Sequence, residues 1–106
     1  MPSFDPNYDN TISLNDAAKL TKKFRDDFPG AIKANAYNKS QMLDLLNQEG
    51  CKGFRIYNGL SVTGVQQMVI VGVDVDGNDL VDGMLLDHSQ PCPEICSNAN
   101  ALNSNT

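Results

Sequence analysis

Gln67-Met68-Val69-Ile70-Val71-Gly72-Val73-Asp74 is apolar at both odd and even positions and rich in β-branched residues. A strand covered on both faces has that composition, whereas a half-exposed strand alternates. Asp76-Gly77-Asn78 follows at once and carries a tight hairpin signal. Leu80-Val-Asp-Gly-Met-Leu-Leu86 then gives the strand that returns. Upstream, Phe54 and Ile56 alternate with Arg55 and Tyr57, as in a half-buried strand. Asn58-Gly59 and Thr63-Gly64 mark the connection from Asn58 to Val65 as a longer hairpin loop. These readings predict a three-stranded antiparallel meander with the 67–74 segment in the middle.

Before Cys51 the period changes from 2 to 3.6. Ser13-Leu-Asn-Asp16 is a capping-box variant. Leu14, Ala17, Leu20 (or Thr21), Phe24 and Phe28 then recur at helical spacing, with Lys22, Lys23, Arg25 and Asp26 on the other face. Pro29-Gly30 ends this helix. Ala31 to Tyr37 alternates weakly and reads as a short strand or extended link. A second helix is expected from about Lys39, capped by Asn38 or Ser40, with Met42, Leu43, Leu45 and Leu46 as its apolar stripe and Gly50 as its stop. The fold class is therefore α+β. Two N-terminal helices are expected on one face of a small antiparallel meander, followed by an irregular segment rich in Cys and Pro. An irregular arm over 1–12, a single domain over 13–96 and a polar, Asn-rich tail over 97–106 complete the expected organisation.

Charge limits the partners. All eight basic residues lie between Lys19 and Arg55, while the chain after Arg55 holds six acids and no base, within a net charge of −5. An acidic half repels phosphate, so nucleic acid is not an expected partner. The longest apolar run, Met68-Val-Ile-Val71, is too short to span a bilayer, and no membrane partner is expected. The start, Met1-Pro-Ser-Phe-Asp, lacks the basic and apolar regions of a secretory leader, so a reducing cytoplasm is the expected compartment.

Chemistry concentrates in His88-Ser-Gln-Pro-Cys92-Pro-Glu-Ile-Cys96, which holds the only histidine and two of the three cysteines. With Cys51 these residues supply a Cys3His set, the donor type of structural zinc. The Cys-x3-Cys spacing and the flanking Pro91 and Pro93 fit a zinc knuckle less well than Cys-x2-Cys would. A second reading makes Cys92 a redox thiol, activated at the N-terminus of a short helix begun by Pro93. A third leaves Cys51 as a small buried hydrophobe and the other two as thiols or a disulfide covering a sheet edge. The 74–79 segment has the Asp spacing of a calcium loop, but its glycine comes too early and Leu85 stands where the bidentate acid belongs, so a turn is expected. Asp87-His88-Ser89 cannot align as a triad because the three are adjacent. Arg55 and Tyr57 should project together from the outer face of the first strand.

The segments from Leu45 to Gly59, from Val69 to Asp79 and from Pro91 to Cys96 together resemble a family of short bacterial proteins with no assigned function. The resemblance spans about residues 13–103 and implies that Cys51 and the Pro-Cys-Pro segment belong to one architectural unit. It brings no catalytic residue. The expected function is a small non-enzymatic module for protein contact or self-assembly. The alternatives are a zinc protein using Cys51, His88, Cys92 and Cys96, and a thiol redox protein.

Overall fold

The computed structural model describes residues 4–104. Its elements, in chain order, are α1 (Leu14–Asp27), β1 (Ala34–Ala36), α2 (Lys39–Leu46), β2 (Gly53–Leu60), β3 (Gln66–Val73), β4 (Leu85–Leu86) and β5 (Gln90–Cys92). Two helices and two small antiparallel sheets make an α+β protein, with strand orders β2-β3-β4 and β1-β5. The chain falls into two compact units. One joins the residues up to Tyr8 to Tyr37–Ser89, and the other joins Asp9–Ala36 to the chain from Gln90 onward. This division runs through the span expected as one domain, 13–96.

In the first unit β3 is the central strand, as its composition predicts, and Ile70, Val71, Gly72 and Val73 are all buried. The β2–β3 register sets Phe54 against Gly72, Ile56 against Ile70 and Asn58 against Met68, with Leu86 of β4 beyond Ile70. Directly opposed residues point to the same face. On that face Leu45 of α2 meets Ile70 and Leu86, with Tyr37, Met42, Leu46 and Met84 packed around them. Leu43, expected in the stripe, is exposed because it lies about 100° round the helix from Met42. Asn38 is the cap, its Oδ1 accepting from the Gln41 amide at 3.0 Å.

The meander differs from expectation at both ends. β2 runs through Asn58-Gly59 to Leu60, and the loop closes instead over Ser61–Val65, where the Ser61 amide donates to Val65 O and Gly64 N to Ser61 O. Gly59 serves the strand: a Cβ there would lie 2.9 Å from Gln67 O on β3. At the other end β4 is only Leu85–Leu86, with Asp79 making an isolated bridge to Val73. The turn between them forms as read. Asp74 Oδ1 accepts from the amides of Asp76 and Asn78, both at 2.9 Å, and Gly77 takes a φ of 84°. The Asp74 carboxylate is thus committed to its own backbone.

The second unit contains α1, capped by Ser13, whose Oγ accepts from the Asp16 amide at 3.1 Å. α1 contains no buried residue and lies outside the unit that holds the meander, so α2 is the helix that forms the meander's core in that unit. β1 pairs antiparallel with β5, setting Ala34 against Cys92 and Ala36 against Gln90. The Asn-rich segment is internally braced. Asn100 Oδ1 accepts from Leu102 N at 2.8 Å, Asn103 Oδ1 from Asn100 N at 2.9 Å, and the Asn103 amide reaches Ser97 O and Asn98 O. Arg25 and Lys33 donate to the carbonyls of Leu102 and Asn103, at 2.8 and 3.2 Å.

Candidate functional site

Of the four residues expected as zinc ligands, the structure brings two together. Cys92 and Cys96 form a disulfide with Cα atoms 4.8 Å apart. Sulfurs joined in this way are not thiolates, which are the form that ligates zinc. Cys51 and His88 belong to the other unit. Among the described residues no group of three or more His, Cys, Asp or Glu side chains is gathered to hold a metal ion. Cys51 carries a free thiol, half-buried, donating to Gly53 O at 3.1 Å. It lies over Gly72, where a Cβ would meet its Sγ at 3.0 Å. His88 has a φ of 39°, in the left-handed region where a side chain is tolerated only at a conformational cost.

No helix begins at Pro93; residues 93 and 94 form a turn, and the Ile95 amide closes onto Pro91 O at 2.8 Å. Helix-terminus activation of Cys92 is therefore ruled out. Cys92 is the buried residue of the pair, 3% exposed, and Cys96 is the exposed one. Beside Cys96 lies a hollow of about 240 Å³ lined by Phe24, Phe28, Pro29, Ala31 and Pro93, with Arg25 and Lys33 also on its wall. The Phe24 and Phe28 rings contact each other with centroids 5.2 Å apart.

A second constellation stands on β2. Arg55 and Tyr57 do project together, and Asp79 joins them: its Oδ1 receives Arg55 Nη1 and its Oδ2 the Tyr57 hydroxyl, while Arg55 also reaches Gly77 O at 3.2 Å. The sequence places Asp79 in the 74–79 turn and does not join it to Arg55 and Tyr57. Its signal was the hairpin turn, since closing 74–78 sets Asp79 against Val73, one strand from Gly53 and hence diagonal to Arg55. The hydrogen bond to the Asp79 carboxylate, followed by desolvation, holds the Tyr57 hydroxyl above the usual tyrosine range, with Arg55 acting in the opposite direction. The same carboxylate raises Arg55, keeping it charged. With a folded-state pKa raised, Tyr57 contributes stability below about pH 10 that is lost as pH rises through its folded value. Asp79→Asn should bring the Tyr57 titration down, followed by ring carbon shifts across alkaline pH. An unchanged titration would remove Asp79 as the cause.

Charge also divides by unit. The meander unit carries three basic residues and eight acids, a net −5, and the other carries five of each. On α1, Lys22 pairs with Asp26 at 2.6 Å and Lys23 with Asp27 at 2.9 Å. No described helix is long and apolar enough to cross a membrane. Comparison with protein-family models, curated proteins and solved structures returns no match to this chain.

Proposed function

We propose that the chain is a non-enzymatic self-assembly module in which the outer edge of β2 pairs with β2 of a second copy. One observation carries the reading. The meander face that α2 covers over Ile70 and Leu86 continues onto β2, where Phe54, Ile56 and Leu60 are apolar yet 43%, 48% and 75% exposed. β2 is eight residues long and stands at the end of the β2-β3-β4 order, a strand edge available for augmentation. A second copy is the occupant that brings the same edge and the same stripe. Antiparallel pairing about a two-fold axis needs one self-complementary patch and continues the apolar face from one molecule to the next.

Charge supports this arrangement over a head-to-tail contact between acidic and basic surfaces. Two of the lysines that would form the basic partner, Lys22 and Lys23, are engaged in ion pairs within α1, and the acidic unit of one copy repels that of another. Association through β2 should therefore strengthen when salt rises from about 50 to about 500 mM, because screening weakens the repulsion. Ile56→Lys puts a charge in the stripe of each copy and should weaken the dimer roughly tenfold to a hundredfold while circular dichroism stays that of the parent. Sedimentation at several concentrations reads both effects. A monomer at every concentration and salt, or association that Ile56→Lys leaves untouched, would reject the proposal. The acidic meander unit repels phosphate, so no nucleic-acid partner is assigned to it.

A further inference from the structure

We infer that the Cys92–Cys96 disulfide is a thiol–disulfide exchange site, entered at Cys96, whose co-reactant is a cysteinyl peptide carrying an apolar neighbour. The two half-cystines are unequal. Cys92 is buried on β5, its residue paired with Ala34 and its carbonyl accepting from Lys33 N at 2.9 Å, whereas Cys96 is exposed on the irregular segment beyond the turn. An attacking thiolate reaches the sulfur that is open to it. The hollow adjoining Cys96 offers Phe24, Phe28, Pro29 and Pro93 to an apolar side chain, and Arg25 and Lys33 bring positive charge that favours an approaching thiolate over a thiol. A disulfide serving only as a staple has no need of an exposed sulfur set beside an apolar, cationic hollow.

The step balances without an outside oxidant. The peptide thiolate attacks Cys96 Sγ, a new S–S bond joins the peptide to Cys96, and the Cys92–Cys96 bond breaks with its electron pair leaving on Cys92. Protonation gives a buried Cys92 thiol. A second thiol from the same class of reductant then attacks the mixed disulfide, releasing Cys96 as a thiol and completing a two-electron reduction of the pair. β1–β5 pairing positions the leaving sulfur throughout.

The test uses the full oxidised chain with glutathione first, an anionic peptide thiol, and then a glutathione analogue bearing a leucine in place of the glycine. Quenching in acid and fragmenting the peptide that holds both cysteines should find glutathione on Cys96 at least tenfold more often than on Cys92. The leucine analogue should react several-fold faster than glutathione, and Phe24→Ala with Phe28→Ala should erase that advantage while leaving the glutathione rate in place. The rate should also be flat in denaturant well below the unfolding transition. An adduct distributed equally or found first on Cys92 would overturn the proposal. A reduction rate that climbs with denaturant as the whole fold opens would overturn it too, since the disulfide would then be exposed only by unfolding. These readouts do not involve β2, so they stand or fall apart from self-assembly.

Discussion

Leu45→Ala is expected to cost about 2–5 kcal/mol of folding stability, a deletion of buried methyl groups at a site with little room to collapse. Leu45 is 0% exposed, the most enclosed side chain among the described residues, and it joins α2 to Ile70 and Leu86. The residues around it are themselves anchored. The Tyr37 hydroxyl donates to Met68 O at 3.1 Å, and Met84 is tied through its amide to Gln48 at 2.8 Å. Neighbours held in this way relax poorly into a cavity, which pushes the loss to the upper half of the range. For a domain whose whole stability is of order 5–15 kcal/mol, that loss removes much of it. Leu43→Ala, one residue class and two positions away, supplies the contrast: Leu43 is 45% exposed, and its truncation should cost under about 1 kcal/mol. Chemical denaturation of both variants at unchanged m-value checks the pair. Equal losses at 45 and 43 would mean that the buried Leu45 is not the side chain that ties α2 to the core.

What the sequence made legible was local. β3 announced itself because both of its faces are apolar, and the Asp74–Asn78 turn because Asp and Gly there satisfy their own backbone. Ser13 and Asn38 were readable as caps because a cap is a contact between near neighbours in sequence. Three features depended on distant segments. β1 is three residues long and its partner β5 lies more than fifty residues on, so neither alone has a strand's signature. α1 has a helix's apolar period, yet period alone does not say which sheet it joins, and it falls in the unit of β1 and β5. Asn-Gly at 58–59 is a common turn signal, but here the pairing of β2 with β3 continues through it, and backbone proximity at Gln67 explains the glycine. The candidate site was half legible in the same sense. The cysteine cluster was singled out, but which sulfurs meet and which one faces solvent follow from the β1–β5 pairing. The Asn-rich segment, whose composition suggests a loose tail, is held because the Asn103 side chain accepts from the Asn100 amide and the Asn100 side chain from the Leu102 amide, a pattern composition does not record.

Gln48 is the residue that sequence gives no reason to notice, and Gly83→Ala exposes its role with an expected loss of about 2–4 kcal/mol. The Gln48 amide spans two elements: Nε2 donates to Leu45 O at the end of α2 at 2.8 Å, and Oε1 accepts from the Met84 amide. That amide group occupies the space where an alanine Cβ at position 83 would sit, overlapping Oε1 and lying 3.2 Å from Cδ. The side chain cannot swing clear without giving up both hydrogen bonds, and the half-buried Met84 amide must then find another partner, while the Leu45 carbonyl keeps its backbone donors. Gln48→Ala should by itself cost about 1–3 kcal/mol, because it removes the same bonds but leaves an open space beside Gly83. The double variant should then be little less stable than Gln48→Ala alone, since the overlapping amide is gone and only the Leu80 carbonyl oxygen, 3.3 Å away, remains close to the alanine. Steric overlap and lost hydrogen bonding thus predict one non-additive cycle, with a coupling close to the whole Gly83→Ala loss, about 2–4 kcal/mol, measured by denaturant midpoints. Strict additivity would show that Gly83 resists substitution for its backbone rather than for the amide lodged against it, and that Gln48 does not link α2 to the segment leading into β4.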